Sequence, residues 1–169
     1  MPPAATGVSI RLAGPADGPA LIRAHLVSRD FHRGWAEPFT DRAGFARWLE
    51  PIETGRKLSF LVEADGRLTG VVSLGDIIRG SFQCAYLGYY AMAGMAGGGR
   101  MTEAVRQVVV HAFGPLGLHR VEANIQPTNA PSLALIARLG FRREGFSPRY
   151  LRIAGAWRDH ERWAKLADD

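Results

Sequence analysis

The sequence predicts a mixed α/β domain whose sheet is largely antiparallel and holds one internal βαβ crossover. Three observations carry this expectation. "LSFLVEADGRLTGVVSLGDI" is two β-runs around Asp65-Gly66, a dipeptide suited to the left-handed backbone of a tight hairpin. "FRREGFSPRYLRIAGAWRDHERWAKL" closes the chain as two further strands around "AGA". Between them a helix from Met101 to Phe113 separates the strand "SFQCAYLGYYAM" from the strand "HRVEANI", and neighbouring parallel strands need such a crossover.

In chain order, "VSIRLAG" is a short strand, followed from Asp17 by a helical segment through Leu21, Ala24 and Val27. A second helix starts at Thr40, a good N-cap, and buries Phe45, Trp48, Leu49 and Ile52 at i, i+3, i+4, i+7. The aromatic and charged loop "DFHRGWAEPF" lies between these helices. After the first hairpin and the third strand, Met101, Ala104, Val105, Val108, Val109, Ala112 and Phe113 form one apolar helical stripe, which Gly114-Pro115 stops. Beyond "HRVEANI", Asn129 caps a helix carrying Leu135, Ile136 and Leu139, with Pro131 in its first turn and Gly140 at its end.

The 169 residues are expected to form a single domain, 1–169, without a linker. One cysteine, Cys84, makes no internal disulfide, and "MPPAATGVSI" has no basic segment leading into an apolar core, so a cytoplasmic location is expected. No apolar run approaches the roughly 20 residues that span a bilayer. The net charge of +5 comes from arginine, since Lys57 and Lys165 are the only lysines among 21 basic residues. A basic balance favours anionic ligands, but no aromatic-plus-basic motif marks a dedicated nucleic-acid module. The five histidines lack the paired spacing of a metal site, so no metal is expected.

Gly97, Gly98 and Gly99 stand directly ahead of the central helix, where each costs roughly 1 kcal/mol of backbone freedom relative to alanine. Bare backbone at a helix N-terminus suits a phosphate, because the first N–H groups lack partners and carry the positive end of the dipole. The plain alternative is a flexible joint. The stretch lacks the third glycine of a dinucleotide fingerprint and the G-K-[ST] of a Walker loop.

With this element order, "GGGRMTEA" at the loop, Asn129-x-x-Ser132 leading to "LGFRREG", and "RIAGAWRDH" in the last hairpin, the chain resembles the GNAT acetyltransferase superfamily, and within it the ribosomal-protein alanine N-acetyltransferases. The resemblance covers nearly the whole chain. It implies a GNAT-like sheet with helices on both faces and a splayed strand pair at the cofactor site. It also implies acetyl-CoA as donor, its pyrophosphate on the loop Ala96, Gly97, Gly98, Gly99, Arg100, Met101 and Thr102, and its pantetheine arm beside Tyr90, Ala91 and Met92, with Asn129 and Ser132 as further contacts. The loop departs from the family pattern at Ala96, where a basic or amide residue is usual, and at Met101, where a small one is. Arg100 is a candidate for the missing charge.

Acetyl transfer needs a neutral amine, a polarised thioester carbonyl and a proton for the departing thiolate. An α-amine with a pKa near 8 asks less of a base than lysine at about 10.4. The resemblance makes Ser132 the proton donor; a hydroxyl bonding backbone in the first helical turn is the alternative. For the base, Glu122, on one strand face with Asn124, ranks ahead of Glu103 in the central helix; surface or capping carboxylates are the alternative for both. Related ribosomal-protein enzymes carry a glutamate in the strand after the "EG" turn, but "SPRYLRI" has no acid there. Phe31, Trp35 and Phe39 are either core or the lining of the acceptor groove. Cys84 is expected as a buried thiol, and Asp159-His160, pointing to opposite strand faces, as structural. The expected acceptor is a protein N-terminus, with a small amine such as an amino acid, polyamine or antibiotic as the runner-up and a non-catalytic CoA-binding module as the alternative from another class. The expected assembly is a monomer or homodimer.

Overall fold

A computed structural model describes residues 7–169. The proline- and alanine-bearing stretch 1–6 lies outside the described residues.

Seven strands form one sheet in the order β1-β2-β3-β4-β5-β7-β6: β1 Val8–Leu12, β2 Leu58–Ala64, β3 Arg67–Ile78, β4 Cys84–Ala91, β5 Arg120–Ile125, β6 Arg142–Ile153 and β7 Ala156–Leu166. Every pairing is antiparallel except β4 with β5, where the crossover helix α4 (Arg100–Phe113) returns the chain in the same direction. Both hairpins close with two-residue turns in left-handed backbone: Asp65 and Gly66 at φ 53° and 71°, Ala154 and Gly155 at 51° and 75°. That backbone twists with the strands it joins, which is why D-G and A-G mark these positions.

Strand alternation divides the core in two. Phe60, Val62, Val72, Leu74, Ala85, Leu87, Val121, Ala123 and Ile125 face α4 and α5 (Ala130–Arg138). Leu61, Val71, Tyr90 and Met92 face the opposite layer, with Leu21 of α1 (Gly18–Val27) and Phe45 and Trp48 of α3 (Arg42–Glu53).

Several local expectations are corrected. The cap of α3 is Asp41, not Thr40: its Oδ1 accepts from Gly44 N at 2.7 Å, a stronger acceptor one residue nearer the helix. The segment "DFHRGWAEPF" is not wholly loop, because Arg29–His32 forms the short helix α2. The third strand starts at Cys84 rather than Ser81, after Gln83 takes positive φ and its carbonyl bonds the amides of His119 and Arg120.

Candidate functional site

Pairing fixes where the sheet opens. β4 stays bonded to β3 through Ala91, opposite Gly70, but its ladder with β5 ends at Leu87 and Ala123. From there Gly88–Ala91 and Asn124–Ile125 diverge, as the splay expectation requires. Met92 N–H donates to Thr69 O, so by alternation Tyr90 and Met92 turn their backbone toward β3 while Tyr89 and Ala91 turn theirs toward the gap. Of the expected trio Tyr90, Ala91 and Met92, only Ala91 can present an amide to the gap.

A cavity of about 350 Å³ passes through this opening. Tyr89, Asn129 and Ser132 line it on the α5 side; Trp35, Trp48, Lys57, Gly88, Tyr90, Asn124 and His160 line it on the other. Its floor is small, because Ser59, Ser73 and Gly88 fall in register across three strands, and a Cβ built on Gly88 meets nothing within 4 Å. Asn124 Oδ1 is buried with no partner among the described residues. A buried acceptor without a donor costs about 1–3 kcal/mol, and a bound N–H would relieve it.

Asn129 caps α5, its Oδ1 accepting from Ser132 N at 3.3 Å. Ser132 Oγ lies 2.7 Å from Tyr89 Oη, which also donates to Ser132 O at 3.2 Å. Burial pushes the Tyr89 phenol up to about 12, against the opposing hydrogen bond from Ser132. Tyr89 was missed by sequence reasoning, although "GYYAM" as a strand puts one tyrosine on each face. Tyr90, on the opposite face, bonds His25 Nε2 at 3.0 Å.

The glycine loop is shaped by backbone alone. Gly97, Gly98 and Gly99 take φ of 92°, 63° and 74°, and Gly99, as N-cap of α4, offers no side chain to the first-turn amides. The strand-to-helix turn is therefore a cradle that a Cβ would strain, and it fits an anion at its amides. Arg100 reaches Asp65 at 3.6 Å, with Nη1 also 3.6 Å from where a Gly98 Cβ would stand, so its charge sits at the loop's edge. Met101 is the exception among the expected contacts: its side chain is buried and fills the notch at Gly70, where a Cβ would stand 2.6 Å from Sδ. That packing accounts for a large residue at a usually small position, and leaves only its backbone for the loop. Ala96 precedes the glycines, and Thr102 lies in the first turn of α4.

The two carboxylate candidates do not meet at the gap. Glu122 accepts from Arg120 Nε at 2.6 Å and is absent from the cavity wall. Arg120 also pairs with Glu144, joining β5 to β6. Glu103 accepts from Arg106 at 2.6 Å and from Gln107 at 2.9 Å, and the Arg106 bond holds its carboxyl below the usual range. Both acids are engaged structurally. Asp159 accepts from Arg149 N, a structural role in the last hairpin, whereas His160, whose Nδ1 donates to Arg158 O, also stands in the cavity wall, which the structural expectation did not foresee. Cys84 is fully buried, its thiol pushed up to about 11 mainly by burial.

Of the three aromatic candidates, Trp35 lines the cavity, and Phe39 lines an adjoining groove of about 480 Å³ while packing on His25, Phe45 and Trp48. Phe31 lines neither and stands 46% exposed, because α2 turns it outward. The loop 33–41 is fastened at both lips of the gap: His32 Nε2 donates to Ala91 O at 2.7 Å and Gln126 Nε2 donates to Gly34 O at 2.9 Å. Among the described residues no cluster of His, Cys, Asp and Glu could hold a metal ion, and no helix is long and apolar enough to cross a membrane.

A family model described as an acetyltransferase (GNAT) domain matches residues 8–142. A ribosomal protein uS5-alanine N-acetyltransferase of Escherichia coli is 41% identical over 162 residues, 89% of this chain and 83% of that protein. The structure of Mycobacterium smegmatis RimJ in complex with CoA-disulfide matches with a TM-score of 0.85 and 34% identity, over 98% of this chain and 84% of that one. The spermidine N-acetyltransferase from Vibrio cholerae, in complex with CoA and spermine, shares the fold with a TM-score of 0.83 at 20% identity, over 96% of this chain and 97% of that one.

Proposed function

The chain belongs to the GNAT acetyltransferase family and moves acetyl groups from acetyl-CoA to amines; from that premise we propose that its acceptor is the N-terminal α-amine of a protein. Family membership as an enzyme sets aside the non-catalytic alternative. The observation that carries the acceptor reading is the shape of the α3 side. There the cavity shares Ala36, Trp48 and Tyr90 with the adjoining groove, forming a trough that suits an extended chain with its end in the gap. The engagement of Glu103 and Glu122 in ion pairs supports it too, since an α-amine needs little help to lose its proton. The uS5-alanine enzyme and RimJ are similar over most of the chain.

Acetyl-CoA supplies an activated acyl group as a thioester. Gly97 to Gly99 and the first amides of α4 receive its pyrophosphate, with Arg100 at the edge. Amides of Tyr89 and Ala91, turned to the gap, polarise the thioester carbonyl. Asn124 Oδ1 would accept a hydrogen bond from the acceptor amine and so orient its lone pair. Ser132 Oγ would give its proton to the leaving sulfur and regain one from the acceptor nitrogen, which sheds a proton as the amide forms, while Tyr89, bonded to it, holds the hydroxyl in place.

The test compares an Ala- or Ser-initiated peptide, the same peptide blocked at its N-terminus but carrying an internal lysine, and spermidine, with CoA release as the readout. The free α-amine is expected to react fastest, with a rate rising with pH through an apparent pKa near 8 as the acceptor's ammonium deprotonates. Faster reaction of the blocked peptide, or activity on small amines alone, overturns the reading.

A further inference from the structure

Among the described residues Lys57 is the one lysine or arginine in the cavity wall, which holds no carboxylate. It precedes β2, and its Nζ stands 4.9 Å from the centroid of the Trp48 ring. It makes no ion pair among the described residues. Asp76, in the part of β3 that runs beside Lys57, is the acid whose charge it feels, without an ion pair between them. Burial lowers the ammonium's pKa. A stem lying on an aromatic ring is an ordinary way to cover tryptophan, but it leaves the charge partly dehydrated and without a counter-ion. A cation in that state gains most from a ligand that brings the opposite charge.

The placement sets the spacing. Ser59, Ser73 and Gly88 are register neighbours, so Lys57 and Asn124 stand on strands three steps apart, at least about 15 Å between backbones because β4 and β5 diverge at the last step. Less the reach of the two side chains, that is two or three residues of extended chain at about 3.3 Å each. The adjoining groove is mixed in charge, with Glu37, Asp41 and Arg47 in its wall and Asp41 already committed to capping α3. Within the cavity itself Lys57 decides.

Building on the N-terminal reading of the acceptor, we propose that Lys57 is a specificity determinant: its ammonium receives a carboxylate at about the second to fourth residue of the acceptor, so the enzyme favours acidic N-terminal segments and disfavours polycations. The trough thus holds the amine at one end and the acid at the other.

The experiment uses three alanine-initiated peptides that differ only in carrying Glu, Gln or Lys at positions two to four, with the wild type, Lys57→Met, Lys57→Arg and Lys57→Glu. Wild type is expected to order kcat/KM as Glu over Gln over Lys, by about fivefold a step. Arginine keeps that order, methionine levels it and glutamate reverses it. Calorimetric titration with the N-acetylated product peptides is expected to give the same order in Kd. Should Lys57→Glu fail to fold, the Met and Arg variants decide. Equal use of the Glu and Gln peptides by wild type, or an order unchanged in Lys57→Met, overturns the role of Lys57 and leaves the N-terminal reading standing. Acetylation of spermidine with no reaction of any α-amino peptide overturns the reading beneath it.

Discussion

The two sides of the gap between β4 and β5 are made of different material. On the α4 and α5 side, the loop is backbone: three left-handed glycines and an uncapped helix start, with only the Asn129 cap of α5 made by a side chain. On the α1 and α3 side, side chains from distant segments do the fastening. His25 donates from Nδ1 to Phe39 O at 2.8 Å, Ser28 Oγ accepts from Ala93 N at 2.9 Å, and His32 and Gln126 hold the lips of the gap. Backbone amides suit a donor whose pyrophosphate never varies. Side chains suit an acceptor whose sequence selection must be tuned. The donor side should therefore fail through single hydroxyls and glycines, the acceptor side through graded losses of recognition.

The largest expected effect is at Ser132. Ser132→Ala should lower kcat about 10²-fold or more with acetyl-CoA affinity little changed, and Tyr89→Phe should lower kcat by less, since it misplaces the hydroxyl without removing it. Steady-state kinetics with calorimetry separate the two, and a loss under a few-fold in Ser132→Ala would reduce it to a first-turn residue. Next, Gly99→Val should weaken acetyl-CoA binding about tenfold or more by calorimetry, at a stability cost of about 1–2 kcal/mol for its positive φ. Unchanged affinity would sink the cradle. On the acceptor side, Trp35→Ala should raise the peptide KM several-fold, roughly 1 kcal/mol of lost uniform binding, while the acetyl-CoA KM stays put.

The smallest effect is a pH dependence. Burial, and then the neighbouring charge of His32, hold the His25 pKa below its usual value, against the bond to Phe39 O. The unfolded chain thus binds a proton near pH 6.5 that the folded chain refuses, so this contribution is complete above pH 6.5 and is lost as pH falls toward the folded pKa. Thermal unfolding should show a lower Tm at pH 5 than at pH 7. His25→Leu should flatten that window while lowering Tm throughout, because Phe39 O and Tyr90 Oη lose a partner. An unaltered pH profile in the variant would remove His25 as its source.

The elements were legible because their signals are local. Periodicity placed α4 and its stripe, D-G and A-G placed both hairpins, and Asn129 with Pro131 placed the start of α5. The glycine run marked the cradle for the same reason: a positive φ is a property of single residues. Boundaries were less legible, since Thr40 and Asp41 are both good caps and only the approach of Gly44 N chooses between them.

The sequence by itself determined the fold class and offered the glycine loop and Ser132 as candidates, since each rests on neighbours along the chain or on a motif. The tertiary structure decided everything that depends on which faces meet. It put Tyr89 against Ser132 and Tyr90 against His25, brought Lys57 and Trp48 to the same cavity as Asn124, and buried Met101 in the notch at Gly70. An acid's role, or a lysine's, is set by the charge and solvent around it. For Glu103 and Glu122 that charge is a near neighbour in sequence, whereas Tyr89 and Tyr90 find their partners 43 and 65 positions away, brought near by strand register, which no local pattern encodes.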